Sequence, residues 1–173
     1  MPEKSTVRSV TYGLLRSLGL TVVFGNPGST EQPFLQEFPD DFTYVLALQE
    51  ASVIAMADAF AQVTRRPALV NLHSSAGLGN ALGNLVAALP RKYPTDRHLG
   101  QQHRELVIGE PYLGNREATT MPKPWVKWSY EPPGRRTFRR RSCGPTRASR
   151  TASSSTRSAE PIRYRVQHGG PLR

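Results

Sequence analysis

Thr21-Val-Val-Phe-Gly-Asn-Pro-Gly-Ser-Thr30 is the stretch that decides the fold. A β-rich run, Thr21–Phe24, breaks at Gly25-Asn-Pro-Gly28, and Ser29 and Thr30 stand where they can cap a short helix reaching about Gln36. A short apolar strand that ends in a tight polar loop and opens a helix is the repeating unit of an α/β sheet. The same grammar continues on both sides. Upstream, Val7, Val10, Leu14, Leu15 and Leu18 recur at helical spacing and Gly19 stops them, which predicts a helix over Ser5–Leu18. Downstream, Tyr44–Ala47 reads as a second strand, and the alanine-rich run Glu50–Val63 as a long helix of good helix formers. Pro67–Leu72 is a third strand, followed by a loop, His73–Gly77, and a helix over Gly79–Ala88. The alternation predicts an α/β fold with a doubly wound, mostly parallel sheet.

Ligands of such sheets collect at the carboxyl ends of the strands. Three polar or glycine-rich features fall there: Gly25–Ser29, Gln49-Glu50 and His73–Gly77. They mark a place rather than a chemistry. The spacing Gly77–Gly79–Gly83 invites a dinucleotide-binding reading, but the fingerprint is incomplete and lacks its acid about 20 residues on. That reading is rejected.

Charge divides the chain in two. The sequence holds 23 Lys and Arg against 13 Asp and Glu, a net charge of +10. Residues 132–173 contain eleven Arg, no Lys and one acid, Glu160, so residues 1–131 carry twelve of each sign and sum to zero. The excess charge therefore describes a tail, and a basic average is no argument for nucleic-acid binding by the folded part. Cys143 is the lone cysteine, which excludes an internal disulfide or a cysteine metal site. Without a signal-like apolar run or a stretch of about 18 apolar residues, a cytoplasmic protein with no membrane partner is the expectation.

The pattern fails at Leu89-Pro-Arg-Lys-Tyr-Pro-Thr-Asp-Arg-His-Leu99, which is charged and proline-broken where the fold needs another buried strand. Order partly returns from Gly100 to Glu131. After Pro132 no periodicity is legible, and Arg, Ser, Thr, Pro and Gly dominate. Such a composition buries too little apolar surface to offset chain entropy and predicts disorder. The expected organisation is one domain over 1–131, interrupted at 89–99, and a disordered basic tail over 132–173.

Four segments, VFGNPGSTEQPFL from Val23, YVLALQEASV from Tyr44, NLHSSAGLGNALG from Asn71 and PWVKWSYEP from Pro124, resemble the thiamine-diphosphate-dependent 2-oxo-acid decarboxylases at matching spacings. The resemblance covers Met1–Ala88 well and Gly100–Glu131 fairly well, and any one segment alone would be weak. The lone histidine of NLHSSAG favours the benzoylformate branch over acetolactate synthases. The resemblance implies a pyrimidine-binding domain, thiamine diphosphate as cofactor, a 2-oxo acid as substrate and a homo-oligomer with sites between subunits. It implies that Glu50 hydrogen-bonds a ring nitrogen of the aminopyrimidine, a task for a desolvated carboxyl group. It further implies that His73 faces the substrate and moves protons, that Ser29 contacts the substrate carboxylate, and that Asn26, Pro27 and Gly28 lie along the pyrimidine ring. Blander readings stand beside these. Glu50 would suit any helix N-terminus, His73 could be an ordinary loop histidine, Ser29 a helix cap, and Gly28 a turn residue. Mg2+ is expected from a C-terminal domain of the family, whose Gly-Asp-Gly signature does not occur here. The isolated chain is expected to be inactive.

A compensated reading-frame shift would explain why the resemblance breaks at Leu89 and resumes at Gly100 without a gap. Thr95-Asp-Arg-His-Leu99 can be written ACT GAT CGT CAC CTC, and one base on this begins CTG ATC GTC ACC, Leu-Ile-Val-Thr, a buried-strand sequence. Gly134–Arg147, regrouped by two bases, can read A-A-D-V-P-A-A-F-M-R-A-Y-A, an alanine-rich helical run. The alternatives are a fragment of an acetolactate synthase relative, a basic nucleic-acid-binding protein using its Arg tail, and a regulatory subunit of a full-length enzyme. The last would need Leu89–Leu99 to fold, against which its prolines and charges weigh.

Overall fold

The computed structural model describes residues 6–88, 95–101, 109, 112–115, 117–126, 128–131 and 163–168. Helix α1, Val7–Ser17, opens at Thr6, whose side-chain oxygen accepts the Ser9 N–H at 3.0 Å. Strand β1 is Val22–Asn26, α2 Gln32–Leu35, β2 Thr43–Leu46, α3 Glu50–Thr64, β3 Ala68–Leu72 and α4 Ser74–Ala88. Strand β4 covers Thr95–Gln101, a 3-10 turn Lys123–Trp125, β5 Trp128–Tyr130 and β6 Arg163–His168. The sheet order is β2-β1-β3-β4-β6-β5, and every neighbouring pair is parallel. Strand order turns around between β1 and β3, as expected of a doubly wound sheet.

Side-chain alternation explains why helices cover both faces. Val23 and Leu69 are paired across β1 and β3, and both point into a cluster with Tyr12, Leu15, Phe34 and Phe42 from the α1–α2 side. Phe24 and Val70, the next pair, point the other way, into a cluster with Val53, Ile54, Ala57, Leu78 and Ala81 of α3 and α4. Consecutive residues of a strand face opposite sides, so a strand covered on both must be apolar throughout. All five residues of β3 are buried. Tyr12 stacks on Phe34 and meets Phe42 edge-on, and its hydroxyl donates to the Phe34 carbonyl at 2.5 Å. Burial pushes the Tyr12 phenol up to about 12, against the smaller opposing pull of Arg8 and Arg16.

Three expectations change. Helix α4 begins at Ser74 rather than Gly79, so Ser74–Gly77 is its first turn and not a loop. Ser74 takes φ +57°, a left-handed value uncommon for serine, and this sharp entry turns the chain directly from β3 into the helix. The break expected at Thr95–Leu99 is also corrected: these residues pair with Ala68–Leu72 in regular parallel register. The open edge of β3 offers backbone groups that need partners, and a ladder is indifferent to side-chain type. Part of the objection to folding of Leu89–Leu99 falls with this; residues 89–94 lie outside the described residues. Finally, Arg163–His168 of the tail forms β6 between β4 and β5. Tyr164 and Val166 alternate there with Arg163, Arg165 and Gln167, a period of two that the basic composition masks. The rest of 132–173 lies outside the described residues.

Candidate active site

Parallel strands end together, so the loops after β1, β2 and β3 meet at one edge of the sheet. The order β2-β1-β3 puts the Asn26–Gly28 loop between the other two. Glu50 is the first residue of α3, directly after the turn from β2, and is 6% exposed. Its Oε1 accepts the Asn26 side-chain N–H at 3.1 Å, and its Oε2 accepts the Asn80 side-chain N–H of α4 at 3.4 Å. A Cβ on Gly77 would stand 2.7 Å from Glu50 Oε1, so a larger residue there would push the carboxylate out of this position. The helix N-terminus also favours the carboxylate. Glu50 thus stands at a helix N-terminus and within the reach of the β1 loop at once.

On the other side of the β1 loop, the His73 ring rests on Gly28, where a Cβ would overlap it. Close approach of an imidazole, not a turn with positive φ, is what requires glycine at 28. His73 Nδ1 lies 2.8 Å from Glu31 Oε2 and 3.3 Å from Thr30 Oγ1, and its side chain is partly exposed. Ser29 is exposed and is not the helix cap: α2 has Glu31 at its N-cap position and no side-chain capping bond. Thr30 does not cap either; its hydroxyl donates to Glu31 Oε1 at 2.7 Å. Of the six residues singled out from sequence, Asn26, Gly28, Glu50 and His73 come together through direct contacts. Pro27 lies in the same loop, and Ser29 follows on its exposed rim.

Glu31 is the residue that sequence reasoning missed. It is 0% exposed and holds both loops and the end of β4. Its Oε2 accepts the Gly28 N–H at 2.9 Å besides facing His73, and its Oε1 accepts the Gly100 N–H at 2.9 Å. An acid at the start of a short helix reads as a helix-dipole partner, and nothing in its type distinguishes it. Beneath the site, the Tyr44 hydroxyl donates to Asn71 Oδ1 at 3.1 Å, and Asn71 Nδ2 lies 2.9 Å from His98 Nδ1. Burial first, and the Glu31 charge second, push the Tyr44 phenol well above its ordinary range.

A desolvated carboxyl group steadied by two neutral amides, at the rim of a polar loop, suits a ring nitrogen of an aminopyrimidine. Among the described residues no group of three or more His, Cys, Asp or Glu could hold a metal ion. The donors present fit the pyrimidine half of thiamine diphosphate. Among the described residues no helix is long and apolar enough to cross a membrane.

Residues 5–95 match the family model described as thiamine pyrophosphate enzyme, N-terminal TPP binding domain, and the chain belongs to that family. Within it, the chain is similar to benzoylformate decarboxylase of Pseudomonas aeruginosa, 52% identical over 127 residues that make up 73% of this chain and 24% of that protein. The crystal structure of benzoylformate decarboxylase from Polynucleobacter necessarius superposes with a TM-score of 0.80 at 45% identity, covering 97% of this chain and 31% of that one. The thiamine diphosphate-dependent 4-hydroxybenzoylformate decarboxylase of Rhodococcus jostii RHA1 gives 0.79 at 43% identity, covering 94% and 30%. The chain thus spans about a quarter of the curated relative and under a third of each of these two solved chains.

Proposed function

We propose that this chain is the N-terminal part of a thiamine-diphosphate-dependent 2-oxo-acid decarboxylase of the benzoylformate type, and that it carries the pyrimidine-facing half of the active site. The observation that carries this reading is the Asn26–Gly28 loop, which touches Glu50 through Asn26 and His73 through Gly28. A cofactor acid at Glu50 and a substrate histidine at His73 would thereby be held by one short loop. Thiamine diphosphate, when bound, supplies the electron sink for loss of CO2 from a 2-oxo acid. Glu50 would hold its ring nitrogen, with Asn26, Pro27 and Gly28 along the ring. His73 would move protons to and from the substrate, and Ser29 would take the substrate carboxylate. Mg2+ and the diphosphate would belong to a C-terminal region, and a second subunit would complete the site.

Residues 1–131 make up the family domain in this reading, with β6 of the tail added to its sheet, and 89–99 and 132–173 are products of shifted frames. Arg97 supports the shift. It is 1% exposed on the central strand β4, on the same side as the buried Leu99. The frame one base on places Val at that position. The nucleotide sequence tests this part: frames that fail to encode Leu-Ile-Val-Thr at 95–98 contradict it.

The activity is tested in two arms. The chain alone, given thiamine diphosphate, Mg2+ and benzoylformate, should release no CO2, and measurable turnover would contradict the fragment reading. A chimera in which residues 6–88 replace their counterpart in the P. aeruginosa benzoylformate decarboxylase should decarboxylate benzoylformate. A folded chimera without turnover contradicts the site assignment.

A further inference from the structure

Three donors and one imidazole nitrogen converge on the Glu31 carboxylate from three places in the chain: the Gly28 N–H and Thr30 hydroxyl of the β1 loop, the Gly100 N–H of β4, and His73 Nδ1 after β3. A carboxylate 0% exposed and so fully engaged has no freedom to turn. Its Oε2 already accepts the Gly28 N–H, and an ionised carboxylate only accepts. The imidazole nitrogen 2.8 Å away must therefore carry the proton. The Thr30 hydroxyl spends its own proton on Glu31 Oε1 and can offer Nδ1 only a lone pair, which requires the same tautomer.

From this we infer that Glu31 is a positioning residue for His73, holding the imidazole as the Nδ1–H tautomer and turning its basic Nε2 toward the substrate side of the site. The inference deepens the proposed function and rests on it only for what Nε2 does. Among the described residues Nε2 of His73 has no hydrogen-bond partner, which leaves it available to a reacting molecule. The carboxylate bond positions the ring as well as fixing its tautomer, and Gly28 leaves the room for the imidazole to pack against the loop. Glu31 also couples this orientation to β4 through Gly100. That residue is where the resemblance to the family resumes, so the anchor survives the irregular segment before it.

The test reads the tautomer by 15N NMR on the full 173-residue chain without cofactor or substrate, at a pH where imidazole is neutral. The chain has four histidines, and H73N assigns the His73 signal by its loss. Native protein should show His73 predominantly as Nδ1–H, the reverse of free histidine. E31Q should shift the ratio toward Nε2–H by about tenfold or more, because the lost charge-assisted bond is among the stronger ones. A native spectrum dominated by Nε2–H overturns the inference without any variant. So does an unchanged ratio in E31Q whose amide spectrum remains dispersed. Should E31Q not fold, E31D, which keeps the charge but shortens its reach, must lower the Nδ1–H fraction; a native-like fraction there overturns the inference. Loss of decarboxylation in the chimera would leave this readout unaffected, so the two proposals fail separately.

Discussion

β3 and β4 lie side by side, paired from Ala68–Thr95 through Leu72–Leu99, and they fill equivalent central positions with opposite chemistry. In β3, Ala68, Leu69, Val70 and Leu72 enter the two cores and the polar Asn71 bonds to Tyr44 and His98. In β4, Leu99 is the apolar core contribution, while Arg97 and His98 are buried at 1% and 6%. The difference separates two things a strand needs. Backbone pairing gives β4 its place, because β3 presents a ladder that any sequence without proline can join. Side chains give β3 its stability, because apolar burial is the main favourable term in folding and buried charge opposes it. One strand is held by what it buries and the other by its neighbour.

The contrast breaks most sharply at Leu72, which is 0% exposed. L72A should cost about 2–5 kcal/mol through lost transfer energy and the cavity left behind, read as a lowered urea midpoint. The opposite sign is expected next door. R97V combined with H98T removes an ionic group from the core and should stabilise by about 1–4 kcal/mol, the range seen when buried charges give way to apolar side chains. A lowered midpoint for this pair would show that β4 is adapted to its charged residues. G28A forces a methyl against the His73 ring and should cost about 1–3 kcal/mol as overpacking does, with a change in the His73 ring shifts as its marker.

A smaller effect follows from Tyr12 and Tyr44. Both phenols titrate higher in the fold than the ordinary 10.0, Tyr12 at about 12, so the folded state binds more protons in that interval. Their contribution is complete below 10.0 and is lost as pH rises through the folded values. Thermal midpoints should fall above pH 10.0, and Y44F should flatten that fall while leaving neutral pH behaviour less affected.

The site was legible where polar residues interrupt apolar strands. Asn26, Glu50 and His73 stand at strand ends, and a doubly wound sheet brings strand ends together whatever the details. Glu31 was not legible, because its burial depends on Gly100, 69 residues away, and on a strand whose sequence reads as broken. The start of α4 was missed for a local reason: nothing in serine announces φ +57° at Ser74. β4 itself was missed because periodicity registers side chains, whereas its pairing is a backbone property. The helix cap assigned to Ser29 and Thr30 failed because Glu31 stands at that position and Thr30 turns its hydroxyl to the carboxylate.

Glu50 is the residue on which the pyrimidine-binding role of this loop cluster depends most directly. Introduced into the chimera that carries residues 6–88, E50Q keeps the size and the hydrogen-bonding reach of the side chain but removes the acid. Benzoylformate decarboxylation with saturating thiamine diphosphate and Mg2+ should fall by about 10²–10⁴-fold in kcat, with the circular dichroism spectrum unchanged. Turnover equal to that of the unsubstituted chimera would contradict the assignment of this loop cluster as the pyrimidine-facing half of the site.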